Sequence, residues 1–180
     1  MIISSIYPVT SPLALFCFEN RLNVLFAIND AVNNETGVTS RISGLFTRRG
    51  YNIEGITAGP TTNASISRIT VVVEADEDTH EQVIKQLGKL EDVIEIEELD
   101  ADNSVFRELI LVKVAVNEIQ RPEIVSIADI FRAKIVGVNK DSMMIELTGD
   151  ASKIDAFLEL LVGYEILSIA RTGLTGLSRK

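Results

Sequence analysis

Apolar residues recur in the first half of the chain with two different periods. Four of them stand at i, i+4, i+7 and i+8, the spacing of one helical face: Val38, Ile42, Leu45 and Phe46. Residues 67–75 instead alternate with a period of two, which is typical of a strand with one buried face. A capping box of Thr79 and Gln82 predicts the start of a second helix. Further strands are predicted over residues 25–33, 51–58 and 93–97. The predicted order is βαββαβ.

The second half of the chain repeats this order. One helix is predicted to begin at Pro122, which fits the first helical position, and another at a cap formed by Asp150 or Ser152. Gly163 is expected to end the second of these helices. The predicted strands cover residues 108–116, 134–138, 143–148 and 164–170.

The repeat predicts an α+β fold with two ferredoxin-like βαββαβ domains. Each domain is expected to form an antiparallel four-stranded sheet with two helices on one face. The N-terminal domain is predicted over residues 25–98, a polar linker over 99–104 and the C-terminal domain over 105–180. Strand 93–97 is expected at a sheet edge, with Glu95 and Glu97 facing water. Sheets with an open face and open edges commonly associate, so a protein partner is expected.

Residues 1–24 precede the first predicted strand as an N-terminal extension. Its first charged residue is Glu19, but Pro8 and Pro12 interrupt the uncharged run. A secretory signal would need a basic start, and a membrane-spanning helix would need about 20 apolar residues. A transit peptide would be expected to contain arginine, and the first arginine is Arg21. We therefore predict neither a targeting segment nor a membrane span.

The charge of the chain argues against two classes of partner. A net charge of -9 and a pI near 4.7 oppose binding to nucleic acids and to anionic membranes. RNA-binding domains also have the order βαββαβ, but residues 67–75 contain no aromatic residue for base stacking. Neither a nucleic acid nor a membrane is expected to bind.

The chain has few residues for catalysis or metal binding. Cys17 is the only cysteine and His80 the only histidine, which excludes an internal disulfide and a histidine-rich metal site and is typical of a reducing compartment. We interpret Cys17 as a packing thiol and His80 as a solvated residue at a helix start, not as a catalytic dyad. Glu95 and Glu97 have no basic or aromatic neighbour that would indicate a desolvated acid–base pair. We predict no catalytic residue and no metal ligand.

The loop at residues 33–38, Asn-Asn-Glu-Thr-Gly-Val, is the best candidate for binding a ligand. Gly37 permits close approach to the backbone, and the following helix start offers unpaired N–H groups to a carboxylate. The amide of Asn34 could add directed hydrogen bonds. From these residues alone, the simpler interpretation is a plain helix start with turn-forming asparagines, and it stays preferred at this point.

An ordered set of motifs resembles acetolactate (acetohydroxyacid) synthase small subunits. In the first half they are Asn-Glu-Thr-Gly-Val at 34–38, Arg-Ile-Ser-Gly-Leu-Phe at 41–46, Arg-Arg-Gly-Tyr-Asn-Ile-Glu at 48–54, Gly-Pro-Thr at 59–61 and Ser-Arg-Ile-Thr at 67–70. In the second half they are Arg-Glu-Leu at 107–109, Ile-Phe-Arg at 130–132, Thr-Gly-Asp at 148–150, Lys-Ile-Asp-Ala-Phe at 153–157 and Ala-Arg-Thr-Gly at 170–173. Each motif alone is weak, but together they follow one register from residue 25 to residue 180.

The resemblance implies a non-catalytic regulatory subunit of acetolactate synthase, acting in the biosynthesis of valine, isoleucine and leucine. Such a chain would activate a separate large catalytic subunit and make it sensitive to feedback inhibition by valine. Thiamine diphosphate, magnesium and FAD would belong to the catalytic subunit, and this chain would hold no cofactor. The first half would be an ACT domain, a module that binds amino acids, and the second half a regulatory and dimerisation domain.

The resemblance also implies a shared ligand site in a homodimer. In the family, valine lies between the first loop of one protomer and the second strand of the other. Carried over, four residues would hold the charged ends of valine: Asn34, Thr36, Gly37 and Val38. Asn52 and Ile53 would approach from the partner chain. This implication outweighs the simpler interpretation of the loop.

Two features depart from the family pattern. Residues 1–24 precede the first strand, where the family usually begins close to it, and that strand contains Asn29 and Asp30 at usually apolar positions. Two other functions stay open: a free-standing amino-acid sensor with another target, and a small enzyme that uses surface carboxylates. The expected location is the cytoplasm, or the plastid stroma if a plastid genome encodes the chain.

Overall fold

The computed structural model describes residues 24–180, so the predicted N-terminal extension lies outside the described residues except for Val24. The predicted α+β fold is confirmed. Two successive βαββαβ arrangements each form an antiparallel sheet that carries two helices. One further short strand, which the sequence pattern did not predict, follows the second arrangement.

The first arrangement has β2 and β4 at the two ends of its sheet, in the order β2-β3-β1-β4. Its elements are β1 (Val24–Asn33), α1 (Val38–Arg49), β2 (Ile53–Pro60), β3 (Ile66–Ala75), α2 (Glu77–Leu87) and β4 (Val93–Leu99). Because side chains alternate along a strand, Ile69, Val71 and Val73 all point to one face of β3. They form the buried core together with Ile28 and Val32 of β1 and the apolar faces of α1 and α2.

A β-bulge shapes the edge strand β4. The register between β1 and β4 shifts so that Ala31 faces Glu95 while Val32 faces Val93. Ile94 is therefore the extra residue of the bulge, and it is 54% exposed. The edge position predicted for this strand is confirmed; Glu95 is exposed, whereas Glu97 is half-buried.

The second arrangement repeats the plan with the order β6-β7-β5-β8. Its elements are β5 (Ser104–Ala115), α3 (Gln120–Phe131), β6 (Lys134–Val138), β7 (Ser142–Gly149), α4 (Ala151–Leu160) and β8 (Ile166–Arg171). The core combines inward residues of β5 and β7 with the apolar faces of both helices, and Phe131 meets Phe157 edge-to-face at 5.4 Å between ring centroids.

Two predicted helix starts are wrong. Helix α2 is not opened by a capping box of Thr79 and Gln82, because Asp76 is the N-cap and accepts a hydrogen bond from the Thr79 N–H. Pro122 is not the first residue of α3, which begins at Gln120. Asn117 accepts hydrogen bonds from the N–H groups of Ile119 and Gln120 there. In both cases an earlier Asx residue satisfies the first N–H groups, so the helix begins earlier than the pattern indicated.

The described residues divide into two compact units. The N-terminal unit comprises residues 24–106 together with 173–180, and the C-terminal unit comprises residues 107–172. The terminal residues include the unpredicted strand β9 (Thr175–Ser178), which pairs with β5. β4 runs through Leu99 and β5 begins at Ser104, so the connection is shorter than the linker predicted over residues 99–104. The domain boundaries themselves stay a prediction.

Candidate ligand-binding site

An open cavity of about 350 Å³ lies in the N-terminal unit where β1 leads into α1. The ends of β2 and β3 nearest this loop form its other side. Four short stretches of the chain line the cavity: Val32–Glu35, Val38 with Thr39, Ala58–Pro60, and Ser67 with Ile69. A cavity of this size can hold a small molecule such as an amino acid.

The cavity has an apolar floor and a polar rim. Val32, Val38 and Ile69 are almost completely buried, and each belongs to the core between the sheet and the helices. Asn33, Asn34 and Ser67 supply polar groups at the mouth. Such a surface suits a small molecule with an aliphatic body and a polar end.

Gly37 determines how α1 begins at this cavity. It is the N-cap of the helix with φ 92°, and the cap makes no side-chain hydrogen bond. The first turn contains no acidic residue either. The Val38 N–H donates to the Glu35 carbonyl at 3.5 Å, but no side chain caps the N–H groups that follow it in this turn, and the helix dipole favours negative charge at the same place.

Asn34 is held by the hairpin between β2 and β3. Its backbone N–H donates to the Ser65 carbonyl at 2.8 Å, and its side-chain Nδ2 donates to the Ala64 carbonyl at 3.0 Å. These bonds fix the loop against the hairpin. They also orient the amide so that Oδ1 is the group of this side chain that can accept a hydrogen bond from a ligand.

The residues predicted to bind ligand are only partly brought together within one chain. Asn34 and Val38 line the cavity, whereas Thr36 and Gly37 are exposed loop residues that shape its edge without lining it. Asn52 and Ile53 lie at the opposite end of β2 from Ala58–Pro60. The Asn52 side chain donates a hydrogen bond to Glu54.

The sequence analysis did not assign several lining residues. Val32, Ile69 and Ala58 face the same side of the sheet, because Ile69 is the cross-strand partner of Ala58 and packs with Val32. The alternation of β1 and β3 contained this signal. The position of Ala58–Pro60 beside the loop could not be read from the sequence, because it depends on how the hairpin packs.

Asp30 is an unexpected polar group beneath this region. It lies on the same face of β1 as Ile28 and Val32, is 0% exposed, and faces Ile69 and Ile96 across the neighbouring strands. Neither carboxyl oxygen has a hydrogen-bond partner in the part of the chain that the structure describes. Burial raises the pKa of Asp30 to about 7, because the charged form is poorly solvated there.

The candidates for catalysis are also placed by the structure. His80 is 5% exposed, so its interpretation as a solvated residue is wrong; its Nε2 lies 3.7 Å from Glu98 Oε2. Cys17, the other member of the dyad considered above, lies outside the described residues. Within residues 24–180 no cluster of three His, Cys, Asp or Glu side chains is arranged to hold a metal ion. None of the helices described is long and apolar enough to cross a membrane.

Comparisons with known proteins agree on one family over both halves of the chain. A family model described as the AHAS small subunit-like ACT domain matches residues 28–95, and one described as the small subunit of acetolactate synthase matches residues 107–180. The chain is 48% identical over 153 residues to the probable acetolactate synthase small subunit of Methanothermobacter thermautotrophicus, which covers 84% of this chain and 91% of that protein.

Two further relatives support the same conclusion. The acetolactate synthase small subunit of Bacillus subtilis is 47% identical over 149 residues, covering 82% of this chain and 87% of that protein. The crystal structure of the acetolactate synthase small subunit from Thermotoga maritima matches with a TM-score of 0.82 at 37% identity, covering 87% of this chain and 98% of that chain. The chain therefore belongs to the family of acetolactate synthase small subunits, and its first half is an ACT domain of that family.

Proposed function

We propose that this chain binds valine in the ACT-domain cavity and thereby controls a separate catalytic subunit of acetolactate synthase. The catalytic subunit would bind thiamine diphosphate, magnesium and FAD and carry out the reaction. This chain would raise its turnover and make it sensitive to feedback by valine, an end product of branched-chain amino-acid biosynthesis. The observation that carries the proposal is the cavity beside Asn34, in a chain of this family.

Each part of valine has a complementary surface in the cavity. The isopropyl group fits against the apolar floor of Val32, Val38 and Ile69. The carboxylate fits the uncapped first turn of α1, where the N–H groups and the dipole favour an anion. The ammonium group can donate to Oδ1 of Asn34, because Nδ2 of that amide is already bound to Ala64.

A second copy of the chain would complete this site. β2 is the end strand of its sheet, and two such strands can pair antiparallel to join two sheets in a homodimer. Eight residues of strand span about 26 Å, so Asn52 and Ala58–Pro60 are far apart within one chain. Antiparallel pairing would bring Asn52 and Ile53 of one protomer beside the cavity of its partner. This arrangement accounts for the separation of the predicted ligand residues.

The division of labour between the two subunits can be tested directly. The purified chain alone is expected to form no acetolactate from pyruvate, whereas its addition to the catalytic subunit should raise turnover. The two chains should also co-purify, with and without valine. Steady pyruvate consumption by the purified chain alone would contradict the proposal and favour a small enzyme. Failure to bind the catalytic subunit would favour a free-standing sensor.

The site itself can be tested by filling the cavity at Ala58. This residue is exposed and points to the same face as Ile69, so Ala58→Leu should extend into the cavity without disturbing the core. We expect valine affinity, measured by calorimetry, to fall by about tenfold or more. Activation of the catalytic subunit should persist. Ala101→Leu, at an exposed turn position outside the cavity, is the matched control and should bind valine normally.

Mixed dimers separate a shared site from a site within one chain. Asn52→Lys places a bulky cation beside the partner's cavity, where the ammonium group of valine is proposed to lie. Homodimers of Asn52→Lys and homodimers of Ala58→Leu should therefore both bind valine poorly. In a mixed dimer of Ala58→Leu and Asn52→Lys chains, one site carries both changes and the other carries neither. Calorimetry should therefore recover one normal valine site per mixed dimer. Two defective sites in the mixed dimer would show that Asn52 acts within its own chain.

A further inference from the structure

Residues 173–180, called here the terminal strap, begin one residue after β8 but belong to the N-terminal unit. The C-terminal unit ends at Thr172, and the chain turns at Gly173 with φ 83°. Strand β9 then pairs with β5, and the Arg179 N–H donates to the Asn103 carbonyl at 2.8 Å. The end of the chain is therefore built into the ACT domain rather than left as a loose tail.

The terminal strap packs on the face of the ACT sheet opposite to the helices. Val72 points to that face, since its neighbours Val71 and Val73 point into the core beneath the helices. Leu174 of the strap packs against a separate small apolar cluster formed by Val72, Leu99 and Phe106. Gly176 is buried in the same place, where an added Cβ would lie 2.8 Å from the Phe106 ring. The close approach excludes any larger residue.

The terminal strap also touches the strand that borders the ligand cavity. Thr57 Oγ1 donates to the Leu174 carbonyl at 3.0 Å, and the hydroxyls of Thr57 and Thr175 are 3.4 Å apart. Thr57 immediately precedes Ala58, which lines the cavity from the opposite face of β2. The same short piece of β2 is thus held by the strap on one face and borders the cavity on the other.

At its start, the terminal strap is attached to a rigid point of the C-terminal unit. Arg171 donates two hydrogen bonds of 2.8 Å to Glu108, whose side chain is only 3% exposed. The Thr172 N–H donates to the Leu109 carbonyl at 3.0 Å, and the Leu109 N–H donates back to Thr172 Oγ1 at 3.1 Å. A bidentate pair between arginine and a carboxylate resists displacement. The residues before the strap are therefore held in place, and a movement of the strap acts on β8 and β5.

We propose that the terminal strap couples the ligand cavity to the C-terminal unit. The proposal rests on the proposed function, since it describes how valine bound in the cavity acts elsewhere in the chain. Valine that fixes the end of β2 changes the position of Thr57, and the hydrogen bond to Leu174 passes this change to the strap. Arg171 and Thr172 then pass it to β8 and β5. Because coupling is reciprocal, a state of the C-terminal unit that favours one strap position also changes valine affinity.

The first test removes the link without changing its shape. Thr57→Val deletes the hydroxyl that donates to Leu174 and keeps the branched side chain. In the complex with the catalytic subunit, we expect maximal inhibition by valine to fall while activation persists. Valine binding by calorimetry should change by less than about threefold. Thr62→Val, an exposed position on the hairpin between β2 and β3, is the matched control and should be inhibited normally.

The second test replaces the link between β2 and the terminal strap with a reversible covalent bond. In a Cys17→Ser background, Thr57→Cys with Thr175→Cys places two thiols where the hydroxyls lie 3.4 Å apart, close enough for a disulfide after a small adjustment. Because the disulfide replaces the lost hydrogen bond as the link, valine should inhibit the oxidised complex almost as fully as wild type, whereas the reduced complex should show the lowered maximal inhibition of Thr57→Val. Each single cysteine variant should be unaffected by oxidation.

The outcomes separate the strap from the site. If wild-type protein binds no valine in calorimetry, the proposed function fails. If wild-type protein binds valine, but Thr57→Val is inhibited as wild type or oxidation of the double-cysteine protein does not raise its maximal inhibition, the site stands and the coupling role of the strap is wrong. Lowered maximal inhibition in Thr57→Val with valine binding retained, together with inhibition recovered on oxidation of the double-cysteine protein, supports the coupling.

Discussion

At the scale of single residues, Asp30 is the side chain that conflicts most with its surroundings. It occupies a core position of β1 between Ile28 and Val32, and its neighbours across the sheet are Ile69 and Ile96. A carboxylate without hydrogen bonds in such a place is costly, so the neutral form is favoured and the pKa rises to about 7. Between pH 4 and pH 7, Asp30 therefore keeps its proton in the folded protein and loses it in the unfolded chain.

This proton makes the stability of the N-terminal unit depend on pH. The pKa of Asp30 is 3.8 when unfolded and about 7 when folded, so the contribution is fully present below pH 4 and lost as pH rises to 7. The full loss is about 4 kcal/mol, from 1.36 kcal/mol per unit of pKa. We expect hydrogen exchange in β3 to accelerate over this range. Exchange can be followed by mass spectrometry at matched intrinsic rates.

Two variants of Asp30 isolate the effect. Asp30→Val should remove the pH dependence and raise stability, because an apolar side chain suits the site. Asp30→Asn should also remove the pH dependence but stay less stable than Asp30→Val, because an unpartnered amide remains buried. Asp102→Val, at an exposed turn, is the control and should keep the wild-type slope. Parallel pH profiles for wild type and Asp30→Val would contradict the assignment.

Gly37 shows why residue choice in the ligand loop depends on backbone geometry. An aspartate there would place a favourable charge at the start of α1, typically by about 0.3–1 kcal/mol. With φ 92°, however, any side chain is strained, and an added Cβ would lie 3.2 Å from the Arg41 guanidinium. If Gly37→Asp lost its response to valine, a local folding defect could not be distinguished from a lost ligand contact. Ala58 is the cleaner position.

At the scale of elements, three of the four helix starts in the described residues are held by short polar side chains from outside the apolar pattern. Asp150 Oδ1 accepts hydrogen bonds from the Lys153 N–H at 2.9 Å and from the Ser152 hydroxyl at 2.7 Å. These bonds stabilise the carboxylate and hold the pKa of Asp150 below its usual value. The sequence analysis left Asp150 and Ser152 open as caps; the structure shows that Asp150 caps α4 and Ser152 supports it.

The Asp150 cap is predicted to change stability with pH in the direction opposite to Asp30. Asp150→Ala should lower the stability of the C-terminal unit by about 1 kcal/mol at neutral pH, because two donors lose their acceptor. Since the folded pKa is lowered, this difference should be present above pH 4 and shrink as pH falls further. Asp150→Asn keeps a cap oxygen and should cost much less. Urea unfolding of the three proteins gives the comparison; equal losses for Ala and Asn would argue against capping.

At the scale of the whole molecule, the proposed site links ligand binding to association. If valine lies between two protomers, it binds the dimer better than the monomer, and the dimer must bind valine better in return. A net charge of -9 opposes close approach of two copies, so salt should favour the dimer as well. The assembly would then respond to valine and to ionic strength together.

We therefore expect valine to raise both the melting temperature and the dimer fraction of the isolated protein. A ligand that binds only the folded state adds about 2.7 kcal/mol at one hundred times its dissociation constant. Scanning calorimetry and sedimentation at several protein concentrations measure the two effects. Leucine and isoleucine serve as comparison ligands. Tight valine binding to a strictly monomeric form would rule out a shared site.

The sequence by itself determined the order of the elements in the two βαββαβ arrangements and most of their apolar core. The periods of strands and helices are imposed by backbone geometry. The burial of residues such as Ile42, Phe46 and Val71 can therefore be predicted from their spacing, without knowing how the elements are arranged. The motif set also carried the family, because it is a property of the chain alone. The same motif set implied Asn34 and Val38 as ligand residues, which stays a prediction.

What tertiary structure decided is which distant residues meet. The approach of Ala58–Pro60 to the Asn34 loop, the burial of His80 and Asp30, and the return of residues 173–180 to the ACT sheet all depend on packing between segments far apart in sequence. Local spacing carries no information on such contacts, because they are fixed by the register of strands and by the space left between elements. For this reason the strand over Thr175–Ser178 was not predicted from the sequence.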